Sequence, residues 1–133
     1  MEIANILFAW AWILAGLVAG ALIGMGFHRD NWLGGYASWP RRLMRLGHFA
    51  FFGTALLNLA FAFSVRHLAM DSATLVWPSR LLIAGAAAMS PVCFLAAWRK
   101  PLRHLFIVPV VLLVAGVAVF FVMIVSGHGR GAS

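Results

Sequence analysis

Charged residues are scarce in this 133-residue chain, and acidic residues are nearly absent from it. Only 10 % of the residues are Asp, Glu, Lys or Arg, whereas a soluble domain carries about 25 %. So few charges cannot cover a water-exposed surface of this size, and a soluble domain is therefore excluded. Hydrophobic residues make up 64 % of the chain, and this composition is typical of an integral membrane protein.

The charges are also clustered, and they leave four long stretches without any Asp, Glu, Lys or Arg. These stretches are residues 3–27, 46–65, 81–98 and 105–127. As helices they are about long enough to cross a hydrocarbon core of about 30 Å. They predict an all-α four-transmembrane-helix bundle. We expect one domain, residues 1–133, with spans of about 3–27, 46–65, 80–98 and 104–127. The first stretch is not expected to be a signal peptide, because its "MEIAN" start is not basic.

Cysteine is nearly absent as well, and the charge-free stretches contain no acidic residue. The single cysteine, Cys93, excludes an intrachain disulfide and any CxxC motif. The three acidic residues, Glu2, Asp30 and Asp71, all lie outside the charge-free stretches. Proton-coupled transporters commonly use carboxylates inside the membrane, so a small exporter is disfavoured. Because no zinc motif, phosphate loop or nucleophile–base pair is present, we expect the chain not to be catalytic on its own.

The basic residues indicate an orientation. Seven of the ten Lys and Arg residues lie in the first and third connections between spans, and the other three are Arg66, Arg80 and Arg130. By the positive-inside rule, both of those connections are cytoplasmic and both termini are outside. We expect a multi-pass protein of a bacterial inner membrane. The net charge of +7 then reflects contact with anionic headgroups of the lipid bilayer, and no nucleic-acid partner is expected.

Small and polar residues within the spans predict how the helices pack. Span one has glycines at every fourth position: Gly16, Gly20 and Gly24. Such a groove allows another backbone to approach closely, either within the bundle or from another subunit. Asn58 in span two is expected to form interhelical hydrogen bonds. Pro91 and Pro109 are expected to kink spans three and four, because each removes a backbone hydrogen bond.

Three histidines lie toward the predicted cytoplasmic ends of three different helices: His28, His48 and His104. Two imidazoles on facing helices are the usual axial ligands of a b-type haem. His48 is the strongest candidate, because it lies about 12 Å along the helix from Pro40, at a depth where an unpartnered polar group is costly. Its partner would be His104 or His28. Those two histidines adjoin charged residues, so an interfacial role is the alternative for them.

These observations predict a small integral membrane subunit of a respiratory or other redox complex. It would contact other membrane subunits, and it would ligate a b-type haem or line a quinone site near the cytoplasmic face. One alternative is an accessory or assembly subunit without a cofactor, and another is a small oligomeric channel or transporter. A copper site at the opposite face is a further possibility, with candidate ligands at His67, Met70, Asp71 and His128.

Overall fold

The computed structural model describes residues 2–70 and 74–130, and the side chains of residues 127–130 are left out of the description. Of the chain, 89 % is helical, and the described part contains no strand. The four helices are α1 (Glu2–Phe27), α2 (Trp39–His67), α3 (Val76–Trp98) and α4 (Ile107–Arg130). Short 3-10 helices occupy Trp32–Gly34 and Lys100–Phe106. The predicted all-α four-helix bundle is confirmed.

Four segments are long and apolar enough to cross a membrane: Glu2–Phe27, Trp39–His67, Val76–Trp98 and Lys100–Ser126. Each of them contains one of the four charge-free stretches almost entirely. The chain is therefore a multi-pass membrane protein whose helices face a lipid bilayer. The end of the bundle that carries the first and third connections, residues 28–38 and 99–106, together with the first two turns of α2, is called the basic end below.

The start of α2 is fixed by capping at the basic end. The hydroxyl of Ser38 accepts a hydrogen bond from the backbone N–H of Arg41 at 3.4 Å, and it donates one to the carbonyl of Leu33 at 2.6 Å. Pro40 occupies the first turn, where its missing N–H is not needed. Helix α2 therefore begins seven residues before the apolar stretch, and three of its arginines, Arg41, Arg42 and Arg45, precede that stretch.

The two prolines expected to kink their helices have different surroundings. Helix α3 continues through Pro91 from Val76 to Trp98. The neighbouring hydroxyl of Ser90 is buried and has no hydrogen-bond partner, so it does not bind the carbonyl that Pro91 frees. Pro109 lies in the first turn of α4, because α4 begins at Ile107 after a 3-10 helix. A proline at that position costs little.

Helices adjacent in sequence pack against each other, in the order α1, α2, α3, α4. Helix α1 meets α3 only slightly, and in the described part of the chain it meets α4 marginally at most. In their most apolar parts, α2 and α3 bury 39 % and 44 % of their residues, whereas α1 and α4 bury 11 % each. Helices α2 and α3 are thus the centre of the bundle, and α1 and α4 are its flanks.

Candidate functional site

The α1–α2 interface is built on the glycines of α1. A Cβ atom on Gly16 would lie 2.9 Å from the Cβ of Phe51, and one on Gly20 would lie 2.5 Å from Cε1 of His48. Gly24, in contrast, has no neighbour within 4 Å of its Cβ position. Two of the three glycines therefore serve packing between α1 and α2 within the chain, and the third faces open space.

His48 is half-buried at this interface, on the side of the basic end. Its ring edge faces Gly20: the Cβ position of that glycine is 3.1 Å from Nε2 and 3.2 Å from Nδ1. The ring packs edge-on against Phe52, with the centroids 5.2 Å apart, and at 5.7 Å from Phe49. Nδ1 is buried and has no hydrogen-bond partner. An unsatisfied polar atom in an apolar, aromatic environment is costly, and for an ionisable residue within a membrane span this cost makes ligand binding the hypothesis to test.

The other two candidate histidines are exposed at the basic end. His28 directly follows the last residue of α1. It lies about 12 Å beyond Gly20 along the axis of that helix. His104 lies in the 3-10 helix Lys100–Phe106, which contacts α3 and α4. His48 thus faces α1, whereas His104 lies on the side of α3 and α4. A pairing of His48 with either histidine remains a prediction.

The space available for a haem beside His48 is limited on the side of the imidazole that faces α1. On the α1 side the backbone at Gly20 contacts the imidazole directly, so a flat macrocycle could reach this ring only from the open side of the interface. Among the residues that the structure describes, no group of three or more His, Cys, Asp or Glu side chains is placed to hold a metal ion. Two proposed copper ligands, Asp71 and the side chain of His128, lie outside the described residues.

A buried polar network joins three helices at the end of the bundle opposite the basic end. Asn5 of α1 donates from Nδ2 to Oδ1 of Asn58 in α2 at 2.8 Å. The hydroxyl of Ser79 in α3 donates to Oδ1 of Asn5. Asn58 also donates to the carbonyl of Thr54 at 2.9 Å. Sequence reasoning identified Asn58 but missed Asn5 and Ser79; the signal was an amide near the start of an apolar span. Because its members bond one another, this network is structural.

Comparison with known proteins finds no family model, curated protein or solved structure that matches this chain significantly. Its function is therefore inferred from its own residues and their placement. The candidate site is the α1–α2 interface at His48, since this is where a membrane-embedded titratable group has an unsatisfied nitrogen.

Proposed function

We propose that this chain is a small subunit of a larger complex in a bacterial inner membrane. The observation that carries the proposal is the packing of the flanking helices, since α1 and α4 each pack chiefly against one neighbour and leave the rest of their surface open. In α1 the buried residues are Asn5, Ala9 and Gly16. The large apolar side chains on its open surface include Leu7, Trp10, Leu14, Leu17, Val18 and Leu22.

Partner helices suit the open surface of α1 because of how helices associate in lipid. Lipid tails are as apolar as leucine, so association depends on close packing at small residues and on interhelical hydrogen bonds. Gly24 offers such a small residue on a surface that no part of the described chain covers. A helix of another subunit could approach α1 closely at this position, in the same way that α2 approaches Gly16 and Gly20.

A redox role is the more specific form of the proposal, and His48 supports it. Its unsatisfied Nδ1 lies within a membrane-spanning helix, where an imidazole either hydrogen-bonds or ligates. A neutral imidazole carries one N–H donor, and that of His48 would donate to one carbonyl oxygen of a quinone. A b-type haem needs a second axial ligand, and His104, His28 or a partner subunit would supply it. In either case the protein contributes a ligand and a dry environment, and electron transfer belongs to the cofactor.

The test begins with the intact complex extracted from its native membrane in mild detergent. We expect the chain to migrate in native electrophoresis as part of an assembly far larger than its 14.5 kDa mass. The reduced-minus-oxidised absorption spectrum and the extracted quinone are then compared between wild type and the variant His48→Ala. Loss of a haem band, or of bound quinone, in this variant would support a cofactor at His48.

His67→Ala is the matched control, because His67 is an exposed histidine at the other end of the same helix. It should leave the haem band and the quinone content unchanged. A wild-type complex that lacks a haem band, and whose quinone content does not depend on His48, would reject the redox role. In that case the chain would be an accessory subunit. A free chain, or an assembly of this chain alone, would reject the subunit proposal and favour an oligomeric channel.

A further inference from the structure

Arg41 at the basic end is a buried cation with no acidic partner among the residues that the structure describes. Its side chain is only 5 % exposed. Nη1 donates to the backbone carbonyl of Asp30 at 3.1 Å, and the guanidinium carbon lies 4.8 Å from the ring centroid of Phe27. Nε is buried and has no hydrogen-bond partner. A guanidinium carries five N–H donors, so the described residues leave most of its hydrogen-bonding capacity unused.

A second guanidinium contacts the same aromatic ring as the first, that of Tyr36. Arg45 is one helical turn farther along α2, and its guanidinium carbon lies 4.2 Å from the ring centroid of Tyr36. Its Nη2 donates to the carbonyl of Tyr36 at 3.3 Å. The guanidinium carbon of Arg41 lies 5.7 Å from the same ring. The contacts that the structure records for these two cations are with carbonyls and aromatic rings, so their positive charges are not neutralised by a carboxylate of the described chain.

We propose that Arg41, Arg45 and Tyr36 form a binding site for the phosphate of an anionic phospholipid headgroup. Two neighbouring cations of like sign raise the local positive potential and favour an anion. Arginine suits phosphate because its planar fork donates two parallel hydrogen bonds. Tyr36 is 69 % exposed, so the site can be reached from outside the bundle on the side of this residue. The apolar surface of α2 begins within the next turn, as the acyl chains of a lipid require.

The lipid is favoured over free phosphate by the position of the site. It lies at the end of a membrane-spanning helix, where headgroups are present at high local concentration. The basic end carries seven of the ten Lys and Arg residues of the chain, which favours an anionic lipid over a zwitterionic one. This inference does not depend on the redox role proposed above.

The test measures lipid binding to the purified full chain in a neutral detergent, by native mass spectrometry and by thermal unfolding. The probes are dioleoyl phosphatidylglycerol, dioleoyl phosphatidylcholine and inorganic phosphate. We expect the wild type to retain one phosphatidylglycerol and to unfold at a higher temperature with it than with phosphatidylcholine. Arg45→Gln should weaken phosphatidylglycerol binding about tenfold, the effect expected from loss of charge-assisted hydrogen bonds.

Arg42→Gln is the matched control, since Arg42 is an exposed arginine less than one helical turn from Arg45 and its replacement removes the same charge. It should change the affinity less than about twofold, as expected for an exposed, screened charge. If both variants weakened phosphatidylglycerol binding equally, the effect would be one of overall charge, and the proposed binding site would be rejected. Equal binding of phosphatidylcholine would overturn the preference for an anionic headgroup. Stabilisation by inorganic phosphate as strong as that by phosphatidylglycerol would overturn the assignment to a lipid.

Discussion

Asn5 donates a hydrogen bond of 2.8 Å to Asn58 across the α1–α2 interface, and both side chains are completely buried. The two residues are 53 positions apart in the chain. Together with Ser79 they tie α1, α2 and α3 at one end, while His48 and Gly20 are in contact nearer the other. Helix α1 is thus held at both ends of the interface where His48 lies.

The first prediction concerns this network. Asn58→Ala removes the hydrogen bonds to Asn5 and Thr54 and leaves the buried amide of Asn5 with fewer partners, so we expect a loss of about 1–3 kcal/mol in the free energy of unfolding. Unfolding in mixed micelles of increasing denaturing detergent measures it. Ser126→Ala is the control, because the hydroxyl of Ser126 is exposed and bonds a carbonyl of its own helix. A loss as large in the control as in Asn58→Ala would contradict the role of the network.

The second prediction compares two glycines of α1. In Gly20→Ala the new methyl would lie 2.5 Å from Cε1 of His48, so either the His48 ring must leave its packed position or α1 and α2 must separate, and we expect a destabilisation of about 1–3 kcal/mol. In Gly24→Ala the methyl meets no atom within 4 Å, and the better helix propensity of alanine should stabilise the chain by up to about 1 kcal/mol. The same micelle titration compares the two variants.

A double variant identifies the cause of the Gly20 effect. Replacing His48 by Ala in the Gly20→Ala background removes the atom that the new methyl would meet. We expect the double variant to be more stable than the sum of the two single effects predicts, with a coupling of about 0.5–3 kcal/mol. Strict additivity would show that His48 and Gly20 are not in contact.

The third prediction concerns the basic end, where Trp39 joins α2 to α3. Its indole Nε1 donates to the carbonyl of Ala96 at 2.9 Å. Trp39→Phe keeps an aromatic ring but removes the donor, so we expect a loss of about 0.5–1.5 kcal/mol in the free energy of unfolding. Trp98→Phe is the control, because Trp98 is 88 % exposed. Thermal unfolding in detergent measures both variants, and a larger effect at Trp98 would reverse the expectation.

The fold could be predicted from the sequence because charge and length decide it. A stretch such as 105–127 carries no Asp, Glu, Lys or Arg, and only a helix satisfies its backbone in lipid. The start of α4 was harder, since the helix begins at Ile107 and not at the predicted residue 104, after a 3-10 helix with Pro101 in its first turn. A proline favours the first turn of either kind of helix, so it does not distinguish between them.

The candidate site could be predicted only in part. The depth of His48 was evident from its distance to Pro40, but its contact with Gly20 depends on the register between α1 and α2. A GxxxG motif indicates close approach without naming the partner. The same limit applies to Asn58, whose bond to Asn5 depends on that register. The charged neighbours of His28 and His104 did indicate an interfacial place for both histidines, and both are exposed.

The central claim is that four helices cross the membrane with the basic end in the cytoplasm. Cys93 is buried, so single cysteines introduced at exposed positions can be labelled selectively with a membrane-impermeant maleimide on intact cells. We predict that His67→Cys reacts from outside, whereas Tyr36→Cys and Lys100→Cys react only after the membrane is permeabilised. Labelling of Tyr36→Cys or Lys100→Cys from outside, or of these two variants from opposite sides, would contradict the account.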